Sequence, residues 1–276
     1  MMRISNLCYH AVMPEFPFAH AFAHWSALQW AAMLVLAALG GLMHGFIGIG
    51  LPLLATPLLA LILGFQTAVV VLVVPSMAVI AATFVAYRGS LALGASLRRF
   101  WPLLLMAPLG LYTGVAAFYA LDGRILMAAL ALVVAVYLAL DSLGRIRATL
   151  IKRYPLAFAC AFGFAGGLTE GAVNIGAPSY LIYFLLLDVP VASIIVVLNF
   201  IFAVGKLVQA ALLASHGAFT APMLVTIAPL SLIAGAAFAV GLRLRARHDP
   251  ARYRAWLKLA LALMVMTLLG RSLLGA

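Results

Sequence analysis

The chain has 276 residues, 67% of them hydrophobic and 8% charged, and a mean hydropathy of +1.21. So much apolar surface cannot be hidden in a water-soluble core, which excludes a separate soluble domain and leaves a polytopic membrane protein. The excess of 17 Lys and Arg over 6 Asp and Glu implies no nucleic-acid partner, because the basic residues sit at the ends of apolar segments, where they decide orientation in the lipid bilayer.

Residues 1–25 carry Arg3, Pro14, Pro17 and the histidines His10, His20 and His24. They match neither a secretory signal nor a span, and are expected to form a tail at the interface with its histidines incidental and no metal bound. Cys8 in this tail and Cys160 in an apolar run make no disulfide framework.

Residues 26–63 form one apolar run, almost twice the ~20 residues of a single crossing. A break at 48–51 is expected to divide the run into two helices that turn back on each other. A span follows at 66–87, then a loop with Arg88, Arg98 and Arg99, then a hairpin of 100–121 and 125–142 joined around Asp122, Gly123 and Arg124. Arg145, Arg147, Lys152 and Arg153 close this half. The second half repeats the order, with a broken run at 154–187, spans at 191–214 and 219–242, a basic loop, and a last span at 256–274. The expected fold is therefore an all-α polytopic membrane protein of about eight to ten membrane segments. It divides into an N-terminal tail (1–25), a first repeat (26–153) and a second repeat (154–276), each repeat a broken helical hairpin plus three transmembrane helices, together forming one transport domain.

The break itself is duplicated. Gly41-Leu42-Met43-His44-Gly45-Phe46-Ile47-Gly48-Ile49-Gly50-Leu51-Pro52 is answered 126 residues later by Gly167-Leu168-Thr169-Glu170-Gly171-Ala172-Val173-Asn174-Ile175-Gly176-Ala177-Pro178. Four of the six identical positions are glycine or proline, so one backbone geometry is expected twice: helix, break, and a new helix whose first position suits proline. In lipid, the polar groups freed by a break are tolerable only inside protein or beside a polar cavity, and paired breaks in two repeats point to a transport site. Close helix packing through small-xxx-small spacing is the competing reading, met by Gly41/Gly45, Gly163/Gly167 and Gly167/Gly171. Ala107-Pro108-Leu109 with Gly114, echoed by Ala228-Pro229-Leu230 with Gly235, extends the duplication.

Charge orients the halves. In the first half the basic loop is 88–99 and the next connection is neutral overall; in the second, 215–218 lacks Lys and Arg while the loop at 243–258 carries six. Five segments per half, with the broken run entering and returning, inverts the second repeat. Thirteen Lys and Arg then face the cytoplasm, Arg3, Arg124 and Arg271 face outside, and Lys206 lies in the membrane. Both termini are expected outside. A single-crossing arrangement would put 88–99 and 243–258 on opposite sides.

Two halves that each open with G-x-x-x-G-x-x-x-I-G-x-P resemble the TauE/SafE sulfite-exporter-like family of membrane transporters over residues 30–275. The resemblance implies multi-pass proteins of the bacterial inner membrane that move sulfur-containing anions such as sulfite, sulfoacetate or other organosulfonates. In that family the first motif commonly ends in a run of glycines, whereas Leu51-Pro52 follows Gly50 here.

A buried anion needs positive potential, which helix N-termini at Pro52 and Pro178 supply through free N–H groups and the dipole. Gly48, Gly50, Asn174 and Gly176 are expected to line that cradle. His44, Glu170 and Lys206 are ionisable groups inside apolar segments, where function is the default suspicion. His44 and Glu170 hold equivalent places in the two motifs and are expected to couple a proton, the alternative for His44 being a bond to the broken backbone. Lys206 shares a helical stripe with Asn199, Gln209 and, at its end, His216, so Lys206, Asn199 and Gln209 are expected substrate contacts; Lys206 otherwise snorkels or pairs with Glu170. Ser76, Thr83 and Tyr87 form a weaker stripe, read as interhelical bonding or as pathway. Tyr180 and Tyr183 either cap the cavity or pack.

The function expected is a secondary carrier, an exporter of small sulfur anions, driven by a proton or sodium gradient or by the substrate's own. No cofactor and no metal are expected. G-x-x-x-x-G-K-[ST] does not occur, so ATP is not the energy source. A drug/metabolite-type carrier is the alternative. Catalysis is disfavoured, since H-E-x-x-H and G-x-S-x-G do not occur. No oligomeric state is assigned.

Overall fold

A computed structural model describes residues 25–87, 93–143, 153–187, 189 and 191–245. The tail before Trp25, the last expected span at 256–274, and Arg88, Arg145, Arg147, Lys152 and the basic residues after Arg245 lie outside the described residues. The described residues form ten helices and no strand: α1 (Ala27–Ile47), α2 (Leu51–Leu63), α3 (Phe65–Tyr87), α4 (Leu93–Arg99), α5 (Trp101–Ala120), α6 (Gly123–Leu143), α7 (Pro155–Val173), α8 (Ala177–Leu186), α9 (Val191–Ser215) and α10 (Ala221–Arg245). Six of them, α1, α3, α5, α7, α9 and α10, contain stretches long and apolar enough to cross a membrane. The protein is thus an all-α polytopic membrane protein.

Local sequence explains where the helices begin. Ser26 caps α1 in a reciprocal pair: the Gln29 N–H donates to Ser26 Oγ at 3.2 Å and the Ser26 N–H to Gln29 Oε1 at 2.9 Å. Prolines sit in the first turns of α2, α5, α7 and α8, where their missing N–H breaks no helical bond. Outward-facing apolar side chains recur at helical spacing, Leu105, Leu109 and Tyr112 on α5 and Val225 and Leu232 on α10; in a bilayer these meet lipid.

Glycines decide how the halves join. α1 runs parallel to α10, with Gly41 against the backbone of Ala234 and Gly45 against that of Phe238, while Gly241 of α10 abuts Leu42. α7 runs parallel to α5 in the same way: Gly163 meets Leu103, Gly167 meets Ala107, Gly171 meets Leu111, and Gly110 and Gly114 answer against Phe164 and Leu168. A Cβ at Gly167 would lie 2.8 Å from Leu111 N and closer still to Ala107 O, so only glycine permits this approach. The opening helix of each half is therefore clasped by a helix of the other half. Gly41, Gly45, Gly163, Gly167 and Gly171 serve packing, as the competing reading held, while Gly48, Gly50 and Gly176 lie at the breaks.

The ends of α3 and α10 also meet. Arg245 donates to the Tyr87 hydroxyl, and its guanidinium lies 6.0 Å from the Tyr87 ring centroid. The last residues of α3 and α10 thus lie side by side at one end of the bundle.

Candidate functional site

Both breaks reverse the chain. After α1 ends at Ile47, Leu51 comes back against Gly40, whose Cβ would lie 3.2 Å from Leu51 Cγ; after α7 ends at Val173, Gly176 comes back against Gly166. The turning points correspond. Gly48 (φ 94) closes α1 in the left-handed region and donates its N–H to His44 O at 2.7 Å. Asn174 (φ 61) closes α7 in the same region and donates to Glu170 O at 3.0 Å. Asparagine is among the few non-glycine residues that tolerate this conformation.

Two details differ from the sequence reading. Gly50 has φ 141 whereas Gly176 has φ −92, so the shared geometry stops one residue short of the second helix in each half. Gly176 is required for space: a Cβ there would lie 2.7 Å from Gly166 O and 3.0 Å from Glu170 Cβ. Pro52 and Pro178 occupy the second helical position, with Leu51 and Ala177 at the first. Because Gly48 must hold a positive φ with Ile195 Cδ1 2.7 Å from any added Cβ, Gly48→Ala is expected to cost roughly 1–2 kcal/mol from backbone strain alone, measurable as a lowered Tm of the detergent-solubilised protein.

Between the breaks lies a small, partly open cavity lined by His44, Gly50, Pro52, Leu53, Ser76, Ile80, Glu170, Asn174, Ile175, Gly176, Ala177, Phe202 and Lys206. Ser76 is the twelfth residue of the 23-residue α3, and Phe202 the twelfth of the 25-residue α9, so the cavity lies midway along two membrane-length helices. Of the expected cradle residues, Gly48 and Pro178 do not line it. Neither do the expected contacts Asn199 and Gln209, which stand behind it.

The charged group is self-contained. Lys206, 1% exposed, forms an ion pair with Glu170 and donates to Asn174 Oδ1 at 2.5 Å and Gln209 Oε1 at 2.7 Å. An ammonium has three N–H donors, and all three find acceptors. Lys206 therefore pairs and does not snorkel. The other carboxylate oxygen of Glu170 accepts the Gly176 N–H at 2.8 Å. Asn174 Nδ2 donates to Thr56 Oγ1 at 2.9 Å, which ties the second break to α2 of the first half. Thr56 had no signal in the sequence beyond being a lone hydroxyl in an apolar run.

A second group surrounds His44. Its Nε2 lies 3.1 Å from Asn199 Oδ1, and Asn199 Nδ2 donates to Gly48 O at 2.9 Å and Ile195 O at 2.8 Å. Asn199 thus fastens the first break to α9. Ser76 and Thr83 donate to Leu72 O at 2.6 Å and Val79 O at 2.9 Å; these bonds stay within α3, so neither hydroxyl proton serves interhelical bonding, and Ser76 belongs to the cavity wall. Tyr180 and Tyr183 pack, the first against Phe202 with ring centroids 6.0 Å apart, the second with Phe100, Phe162 and Phe184. His216 stacks on Tyr119, 4.3 Å between centroids, away from the cavity.

Glu170 also borders a second space. Together with Leu104, Ala107, Pro108, Leu111, Tyr180 and Gly205 it lines a mostly apolar cavity between α5 and α9. One carboxylate thus stands between the two spaces. Among the described residues no cluster of three or more His, Cys, Asp or Glu has metal-binding geometry.

In comparisons with known proteins, the family model described as "Sulfite exporter TauE/SafE" matches residues 33–274. No curated protein and no solved structure gives a significant match.

Proposed function

The chain belongs to the TauE/SafE sulfite exporter family, a family of membrane transporters, and from that premise we propose that it is a secondary carrier of small sulfur-containing anions in a bacterial inner membrane, with no catalytic step. The observation that carries this reading is the mid-helix cavity bounded by both breaks. Its fixed charges, Lys206 and Glu170, cancel, so the field that an anion meets comes from the first turns of α2 and α8, whose amides have no intrahelical acceptor and whose dipoles present their positive ends.

The carrier works by alternating exposure of this site between inverted halves, a reading the helix directions support. In an inverted pair of five-segment repeats, the first segment of one repeat is parallel to the fourth of the other; α1 beside α10 and α7 beside α5 run in that sense. The contact of Arg245 with Tyr87 supports a common cytoplasmic side for the two basic loops, and so an outer location for both termini. Glu170, which faces both cavities, is the partition whose movement opens the site, and with His44 it is the group placed to couple a proton to anion movement. The repeats at 26–153 and 154–276 form one transport unit because each clasps the other's opening helix.

Purified protein in liposomes, given sulfite, sulfoacetate, sulfate and a neutral solute in turn, tests the reading. Saturable flux of sulfite or sulfoacetate well above that of the neutral solute is expected. Equal permeability to all four, or transport of the neutral solute alone, would reject it.

A further inference from the structure

The hydrogen-bonding groups left over in the cavity specify more than an anion. Asn199 Nδ2 lies 2.9 Å from Gly48 O and 2.8 Å from Ile195 O. Carbonyl oxygens only accept, so the amide orientation is fixed, and Asn199 presents its oxygen to His44. His44 Nε2 is then the nitrogen that carries the proton, donating across 3.1 Å. His44 Nδ1 is left as a bare acceptor. It is buried, on a residue 2% exposed that lines the cavity, and it has no partner.

Among the other polar side chains around the cavity only Asn174 keeps a donor, the second hydrogen of Nδ2, the first being given to Thr56 Oγ1. All three Lys206 protons are used on Glu170, Asn174 and Gln209, and the Ser76 hydroxyl proton is used on Leu72 O, which leaves that oxygen an acceptor too. The remaining donors are backbone amides, in the first turns that place Leu53 and Ala177 on the cavity wall. A bare anion would meet these amides well but would set its negative oxygens against the lone pair of His44. An anion that carries one proton satisfies both kinds of group.

We propose that the cavity selects a monoprotonated oxyanion, whose charged oxygens accept from the first-turn amides of α2 and α8 and whose acidic hydrogen is donated to Nδ1 of His44. The inference deepens the carrier reading above and rests on it. It makes His44 a specificity-determining residue and Asn199 the residue that positions it. A sulfonate, which has no acidic hydrogen near neutral pH, leaves Nδ1 unpartnered and is disfavoured, because a buried polar group built to pair discriminates strongly against a ligand that cannot pair with it. From α9 His44 faces Asn199 and from α10 Phe238. The titratable groups sharing its cavity are Glu170 of α7 and Lys206 of α9, and α2 and α3 add no charge to its wall.

Liposomes containing the full chain, loaded in turn with sulfite, selenite and methanesulfonate across mildly acidic to mildly alkaline pH, test this. Initial rates for sulfite and selenite are expected to follow the monoprotonated species, falling about tenfold per pH unit once the doubly charged form dominates, with methanesulfonate at least about tenfold slower than hydrogensulfite. His44→Leu removes the acceptor at Nδ1, and is expected to bring the two rates to within about threefold. Wild-type protein that moves methanesulfonate as fast as hydrogensulfite, or rates that track the doubly charged anion, overturn the inference while leaving the carrier reading intact. Transport of selenite without sulfite would uphold the inference and reject sulfur specificity; movement of none of the three would reject both.

Discussion

Lys206→Ala is expected to destabilise the protein by about 3–5 kcal/mol, because removing one member of a buried ion pair leaves the other charge uncompensated. The effect is large here because Lys206 closes a network, pairing with Glu170 and donating to Asn174 and Gln209. Glu170 in turn holds the Gly176 N–H at the start of α8, and Asn174 is the residue that ends α7. Loss of the ammonium therefore loosens the second break at both of its sides. Thermal unfolding in detergent reads the loss directly. Removing both charges, as Glu170→Gln with Lys206→Met, is expected to cost less than the two single changes summed, since no lone charge then remains buried. A double variant as unstable as that sum would show that the two side chains act independently.

Gly167→Leu is expected to be at least as damaging, about 3 kcal/mol or more, because the added atoms meet backbone and not a movable side chain. A Cβ alone would fall 2.8 Å from Leu111 N and 2.9 Å from Ala107 C, and closer to Ala107 O. Gly45→Leu attacks the equivalent clasp, with Leu242 N 2.9 Å from a Cβ and Phe238 O nearer. Gly235→Ala is the control, since a Cβ there meets nothing within 4 Å, and it is expected to fold normally. Yields of monodisperse protein from the three variants check the contrast. Normal folding of both leucine variants would mean that the parallel pairs α1–α10 and α7–α5 do not hold the halves together.

Some of this architecture is written locally and some is not. Prolines and glycines act on their own backbone, so the positions of the breaks at 48–50 and 174–176 could be read directly, as could the correspondence of Gly48 with Asn174. The difference between Gly50 and Gly176 could not be read, because the Gly176 requirement is set by Gly166 and Glu170 across the reversal. The same holds for the two uses of glycine: spacing alone places Gly45 and Gly48 in one motif, while only the approach of Phe238 on α10 separates packing from turning. Ionisable residues in apolar runs marked His44, Glu170 and Lys206, and for Lys206 the sequence left substrate, lipid interface and Glu170 as the partners to choose between. What stayed hidden were bonds across the halves, Asn199 to His44 and Asn174 to Thr56, since no periodicity within one helix encodes the neighbour it will meet. The stripe on α3 left its use open for the same reason: the Ser76 and Thr83 protons turn back to carbonyls one turn away, while Ser76 lines the cavity.

The account turns on one location for the anion. Crystals grown or soaked with selenite and measured at the selenium edge give that location without reference to transport rates. A selenium peak in the cavity bounded by Gly50 and Gly176, next to His44 and midway along α3 and α9, is the expected result. Peaks confined to the basic ends at Arg98–Arg99 or Arg243–Arg245, with the space between the breaks packed solid, would contradict it.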